Sequence, residues 1–468
     1  MKKNIKICYI GGGSKMWARI FMSDLALSSY LQGEIALYDI DIESVYINKK
    51  IGENINKHEL CLSKWAYNVY KNIDDALKNS DVVIISILPG TFKEMYSDVH
   101  TPEKYGIYQS VGDTVGPGGV IRAMRTVPIF EFFAKKIKEN SPSAWVINLT
   151  NPMTICVKTL YDVFPEIKAF GCCHEVFHTE DLLVDVVKEL FLETNINRKD
   201  IDFDITGINH FTWISKAMYK DKNILDYLDE FFSNHKNGYY ERGKEDDYLN
   251  DPFAYNNILK YDMYKKYRVL PAAGDRHLAE FLSNNWYLSS PENAKKWGFN
   301  LTHVDFRIKQ YEERVKESKL IADNKLPIVL EKSNEEAVEL IEAIVGCRKM
   351  ISNVNFINNT NQVDYLPTYS IVETNCIFEN DKVEPLKSGD IPIEAKNLII
   401  RNAYNIENCY KGIKNRDIKM IFNSFINQPL CSSLSLEDNR KLFKEMLINT
   451  KDYLKDYFDF SIIDNDEF

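Results

Sequence analysis

The sequence predicts an α/β chain: a Rossmann-like, doubly wound parallel sheet followed by an α+β domain. Three observations carry this. Ile5-Lys6-Ile7-Cys8-Tyr9-Ile10 reads as a buried strand ended by Gly11-Gly12-Gly13-Ser14, and a second strand, Glu34-Ile35-Ala36-Leu37-Tyr38, runs into Asp39-Ile40-Asp41. Continuous apolar runs then recur between helical stretches, as strands buried on both faces of a parallel sheet do. Finally, 468 residues are too many for one ordinary core, so two closely packed domains are expected.

Each element has its own warrant. Between the first two strands, Lys15 to Ser28 has helical spacing, with Met16, Ile20, Phe21, Leu25 and Leu27 on one apolar face. Strand, glycine turn, helix and a strand ending in an acid form the dinucleotide-binding pattern. Gly11, Gly12, Gly13 and Ser14 would let the backbone approach a pyrophosphate at a helix N-terminus. Asp39, with Asp41 second, would accept from the adenosine ribose hydroxyls of NAD. The fingerprint departs from the pattern at Met16, which stands where a third glycine is usual. Further strands are expected at Asp81–Leu88, closed by Pro89-Gly90, at Ala144–Leu149, followed by Thr150-Asn151-Pro152, and at Lys168–Gly171. On this basis 1–200 form the NAD-binding Rossmann-like domain, and 201–468 the α+β domain for substrate, metal and oligomerisation.

Chemistry-bearing residues gather around these strands. Ser110-Val111-Gly112-Asp113-Thr114-Val115-Gly116-Pro117-Gly118-Gly119 has too many glycines for regular structure and leads into a helix carrying Arg122 and Arg125, a combination suited to an anion or a sugar. Phe170-Gly171-Cys172-Cys173-His174-Glu175 follows an apolar run. Adjacent side chains on an extended segment point to opposite faces, so one of Cys172 and Cys173 is expected to face a cleft. Helix is expected from about Thr179, then a strand from Ile201 into Gly207-Ile208-Asn209-His210-Phe211-Thr212-Trp213. A thiolate from Cys173 and the imidazole of His210 would suit zinc, manganese or iron, and two protein ligands alone leave room for substrate oxygens. Lys220 to Lys266 reads as helical, polar and aromatic. Gly274-Asp275-Arg276-His277 places an acid, a cation and an imidazole just before a helix. A strand is expected at Tyr369–Glu373, and the last hundred residues read as mainly helical.

Composition narrows the function classes. The chain is 45% hydrophobic and 27% charged, as a soluble globular protein is, and its net charge of −10 argues against nucleic acid or a membrane surface as partner. No apolar run reaches the length of a membrane span, and the basic start is followed by a strand and glycines rather than a cleavage site. Nine scattered cysteines without a framework point to reduced thiols and the cytoplasm.

Taken together, Gly11-Gly12-Gly13-Ser14, the Gly112–Gly119 loop, Thr150-Asn151-Pro152, Cys173-His174, Gly207-Ile208-Asn209-His210-Phe211-Thr212-Trp213 and Gly274-Asp275-Arg276-His277 resemble the signature set of glycoside hydrolase family 4. Ile107–Asp113, Gly171–Phe177 and Ala272–His277 are most similar to the α-galacturonidases of that family. The resemblance implies NAD and a divalent metal, usually manganese. It also implies hydrolysis by oxidation at the sugar's carbon 3, elimination, water addition and reduction, in place of the two-carboxylate route. It implies Cys173 and His210 as metal ligands, His174 as leaving-group acid, and Asp275 as the base near carbon 2 with Tyr267 in reserve. Asn151 would contact substrate hydroxyls, and Arg276, with Arg122 and Arg125 behind it, would bind an anionic sugar. The expected partner is a short saccharide, and the expected assembly a homodimer or homotetramer. An α-galactosidase or α-glucosidase of the same family is the near alternative. A dehydrogenase of the lactate or malate type, which shares the two-domain layout, is the distant one.

Overall fold

Alternate residues of the first strand go to different cores. In β1 (Lys3–Ile10), Ile5, Ile7 and Tyr9 join one hydrophobic cluster and Cys8 and Ile10 another. The same division recurs in β4 (Val82–Ile85), where Val82 and Ile84 face one way and Val83 and Ile85 the other. Each such aliphatic side chain, fully buried, contributes on the order of 2 kcal/mol, which is why the positions facing the two cores are apolar. The computed structural model describes residues 2–240, 251–464 and 468.

Five parallel pairings join β3 (Trp65–Tyr70), β2 (Leu31–Tyr38), β1, β4, β5 (Trp145–Asn148) and β6 (Lys168–Gly171) in that order. This is the Rossmann order, and the α/β expectation holds. The sheet continues beyond β6 through three antiparallel strands from much later in the chain: β11 (Lys349–Ile357), β12 (Ile371–Glu379) and β13 (Lys382–Pro385). A second sheet is made by β7 (Asp202–Ile208), β8 (Phe211–Tyr219), the short β9 (Lys222–Asn223) and β10 (Leu270–Pro271). The largest core joins the long helix Gly116–Asn140 to the C-terminal helices, with Val120, Met124 and Val127 packed among Ile399, Phe425 and Phe443.

Several local expectations shift. Gly116-Pro117-Gly118-Gly119 is the first turn of a helix rather than irregular loop. A Cβ on Gly118 would lie 2.7 Å from the Asp98 carbonyl oxygen and one on Gly119 2.6 Å from the Thr114 carbonyl carbon, so the glycines serve close packing inside regular structure. Proline is tolerated in a first turn, whose N–H groups lack intrahelical acceptors. The helix expected from Thr179 begins at Glu175. In the stretch from Lys220 to Lys266 the described helices are Leu228–Asn234 and Ile258–Tyr267, and 241–250 lie outside the described residues.

Strand order reverses at β1, with β2 on one side and β4 on the other. The crevice beyond the C-terminal ends of such strands is where open α/β sheets bind ligands.

Candidate active site

A cleft of 1480 Å³ runs from the glycine turn after β1 to the loops after β5 and β6. At its first end, Gly11 has φ +98°, and a Cβ there would fall 1.9 Å from the Ser86 carbonyl oxygen, so only glycine lets the turn pass. The Gly13 N–H donates to Asp39 Oδ2 at 2.9 Å, and the Asp41 N–H donates to Asp39 Oδ1 at 3.0 Å. Asp39 thereby ties the turn to the end of β2. Asp41 caps the helix Ile42–Ile55, accepting from the Ser44 N–H at 3.2 Å, and its carboxylate lies 3.7 Å from Lys15 Nζ. Ser14 Oγ accepts from the Trp17 N–H at 3.1 Å, opening the next helix. Gly11, Gly13, Ser14, Asp39 and Asp41 line the cleft. Gly12 does not, its N–H donating to the Tyr38 carbonyl at 2.9 Å.

At the other end stands His210, in the two-residue turn between β7 and β8, with φ +61°. A non-glycine residue held in that region commonly marks a functional position. Its Nδ1 is 2.8 Å from Thr114 Oγ1, and that hydroxyl donates to Asp113 Oδ1 at 2.8 Å. With its proton so used, the hydroxyl oxygen accepts from Nδ1–H. The lone pair is then on Nε2, the arrangement a metal-binding imidazole needs. Burial, and then the neighbouring His277 charge, push His210 down to about 3, so the ring is neutral. Glu175 sets the opposite state in His277. Burial works against the charged form there, but the Glu175 carboxylate, 3.5 Å from Nε2, holds its pKa above the ordinary value. Glu175 also accepts from the Gly274 N–H at 2.8 Å. Asp113 is half-buried, and its desolvation would raise its pKa, yet Arg122 and then His277 hold it well below the carboxylate range. Potential ligand atoms of Asp113, His210 and His277 lie within 4.8 Å of one another, the group of that kind found among the described residues. A neutral imidazole beside an ionised carboxylate suits a divalent cation.

Most of the other expected residues reach the same cleft: Cys173, His174, Asn151, Arg122 and Arg276 line it. Both thiols do so, because β6 ends at Gly171 and Cys172 and Cys173 follow it outside the pleat. Cys173 backs onto Met153, Val157 and Ile371, and burial, then Glu373 and Glu175, push its thiol well above the ordinary value. The Asn151 amide donates to Asp113 Oδ2 at 3.3 Å while its buried Oδ1 has no partner. His174 is partly exposed, its Nδ1 3.3 Å from Glu335.

Besides Gly12, three expected residues do not line the cleft. Asp275 is fully buried, and its carboxylate accepts from the Leu259 and Lys260 N–H groups at 3.2 and 3.1 Å, capping the helix Ile258–Tyr267 from outside it. Gly274 and Arg276 border the cleft on either side of it. Tyr267 packs edge-on against Trp213, with centroids 5.5 Å apart, at the largest core. Arg125 is buried against Asp98 in a two-pronged ion pair, its Nη1 3.0 Å from Oδ1. Conversely, Asp113, Glu175, His277 and Arg307 border the cleft without having been assigned roles from sequence. The first three sit inside quoted motifs, but nothing in their spacing distinguished them.

A Rossmann-type crevice joined to a compact cluster of two imidazoles and a carboxylate, with the Cys173 thiol lining the same cleft, defines a nucleotide-associated enzyme cleft, and its family follows from comparison with known proteins. The family 4 glycosyl hydrolase model matches residues 6–189 and the model of that family's C-terminal domain matches 205–431, so the chain belongs to glycosyl hydrolase family 4. It is 46% identical to an α-galacturonidase of Thermoanaerobacterium saccharolyticum over 96% of this chain and 97% of that one. An α-galacturonidase of Bacillus subtilis is 42% identical over 95% of this chain and 97% of that one. A crystal structure from Bacillus subtilis, provisionally assigned as a glucosidase, shares 41% identity with a TM-score of 0.90, covering 95% of this chain and all of that one. No helix among the described residues is long and apolar enough to cross a membrane.

Proposed function

We propose that the chain is an α-galacturonidase, releasing α-linked galacturonic acid from short oligogalacturonates with NAD and a divalent cation, manganese first. The observation that carries this is the gradient of similarity. Full-length α-galacturonidases match at 42 to 46% identity, whereas an α-galactosidase of Bacillus subtilis matches at 28%. A 6-phospho-α-glucosidase from gut microorganisms, solved with NAD and Mn2+, has the same fold with a TM-score of 0.80 at 19% identity.

The residues present fit both groups. The glycine turn leaves no room for side chains, and Asp39 stands at the end of β2 where a ribose would lie. His210 presents a neutral imidazole with Nε2 free to ligate, and Cys173 is its proposed partner in the same cleft. When bound, NAD supplies reversible oxidation of the sugar and the cation supplies Lewis acidity beside it. The chain's own groups do the rest. Thr114 fixes the His210 tautomer. Asn151 Oδ1 accepts from a sugar hydroxyl. His174 faces the leaving group as its acid, with Glu335 orienting the ring. Arg276, with Arg122, holds the anionic sugar. Asp275, between the cleft-lining Gly274 and Arg276, takes the proton from carbon 2, with Tyr267 in reserve.

A substrate panel tests the reading. Nitrophenyl α-galacturonide, α-galactoside, α-glucoside and 6-phospho-glycosides are compared with NAD and Mn2+ supplied. The galacturonide should give the highest kcat/KM, and preference for any other member refutes the assignment.

A further inference from the structure

A galacturonide differs from a galactoside in one group: a carboxylate replaces the hydroxymethyl at carbon 6. Four arginines line the cleft; Arg122, Arg276 and Arg307 lie within electrostatic reach of Asp113, and these three are not equivalent. Arg122 Nε donates to the Asn151 carbonyl at 3.1 Å, and the Asp113 charge favours its cation. Arg276 Nη2 donates to the Ser110 carbonyl at 3.1 Å and to Thr302 Oγ1, while its buried Nε has no partner among the described residues. Arg307 has no hydrogen bond and no carboxylate in ion-pair reach among the described residues.

Arg307 is nevertheless firmly placed. It is the fourth residue of the helix Val304–Ala322, whose first turn is capped by His303 Nδ1, accepting from the Asp305 N–H at 3.2 Å. Phe306 in that turn packs edge-on against Phe253, with centroids 5.7 Å apart. The Phe253 ring then holds two cations, with the Arg276 and Arg307 guanidiniums each 5.2 Å from its centroid. Cation–π attraction fixes such groups without cancelling their mutual repulsion. Burial, and then the Arg276 charge, push Arg307 down to about 10. Two guanidiniums at one ring, both of residues that line the cleft and both with donors the described residues leave unused, match a planar two-oxygen anion.

We propose that Arg307, together with the unpaired Nε of Arg276, binds the carbon 6 carboxylate and sets the preference of this cleft for uronides. This rests on the galacturonidase reading. A sugar 6-phosphate shares the anionic chemistry, so it forms a separate arm of the test.

The NAD-loaded protein is titrated calorimetrically with D-galacturonate, D-galactose and D-galactose 6-phosphate. The wild type should bind galacturonate at least about tenfold tighter than either other sugar, as charge-assisted bonds to both carboxylate oxygens would give. Arg307→Met should erase that preference while retaining NAD affinity. Arg307→Lys should fall between, since a lysine keeps the charge and loses the fork. If Arg307→Met fails to bind NAD, and so is misfolded, Arg307→Lys carries the test. A wild type with no preference for galacturonate, or with tighter binding of the 6-phosphate, overturns the galacturonidase reading and the clamp with it. A wild-type preference for galacturonate that survives in the folded Arg307 variants overturns the role of Arg307 alone.

Discussion

The imidazole rings of His210 and His277 pack with centroids 3.8 Å apart, yet their environments push their pKa values in opposite directions. His210 is neutral and held by Thr114, whereas His277 is favoured as the cation by Glu175. Two imidazolium ions at that separation would repel strongly in a buried site. One ring is thus left free to ligate while the other is spent on an ion pair.

That asymmetry makes a prediction for metal binding, read by Mn2+ electron paramagnetic resonance on the protein without substrate. His210→Ala should weaken Mn2+ binding at least about a hundredfold. Thr114→Val, which removes only the group fixing the tautomer, should cost roughly 10- to 100-fold. His277→Gln should change it less than either. Equal losses at His210 and His277 would mean that both rings ligate.

For the dinucleotide, Asp39→Ala removes the carboxylate that receives the Gly13 N–H and stands nearest the expected ribose. NAD affinity should fall by about 10- to 100-fold, the worth of hydrogen bonds to a charged acceptor. Fluorescence titration with NADH checks this, and unchanged affinity would place the ribose elsewhere.

Asp275 should behave as a cap. Asp275→Ala leaves the Leu259 and Lys260 N–H groups without their acceptor and should cost about 1–3 kcal/mol in urea unfolding. A loss in turnover alone, with stability intact, would show that the cap contributes nothing and that Asp275 serves only as the base.

Stability should depend on pH through Asp24, which is 5% exposed and accepts from the Ser333 N–H at 2.8 Å. Burial outweighs the Ser333 bonds and raises its pKa from 3.8 to about 6. The folded state therefore holds the proton more tightly than the unfolded chain. The stabilisation is complete below pH 3.8 and is lost as pH rises to about 6. Two pKa units correspond to an upper bound of about 3 kcal/mol. Asp24→Asn cannot ionise, so its stability relative to wild type should rise between pH 4 and pH 7. An unchanged difference across that range would show that Asp24 ionises in the fold as it does in the unfolded chain.

What was legible in the sequence was what short-range pattern encodes. The Gly11–Ser14 turn, the strands at Val82 and Trp145, and the residues at strand C-termini all follow from runs of apolar residues and the glycines that end them. The fold over of β11 to β13 onto β6 was not legible, because pairing between Asn355 and Gly171 leaves no trace at either position. Nor were the true surroundings of Asp275, Arg125 and Arg307. In sequence all three are charged residues beside or within helices. Only packing assigns the first to a helix terminus, the second to Asp98 and the third to open cleft.

The central claim is that this cleft breaks a glycosidic bond through proton loss at carbon 2 of a transiently oxidised sugar. Hydrolysis of an α-galacturonide in deuterated water, with NAD and Mn2+ supplied, tests it most directly, with the released galacturonate examined by NMR. Deuterium at carbon 2 is the expected result. Galacturonate released at full rate with only hydrogen at that carbon would contradict the account.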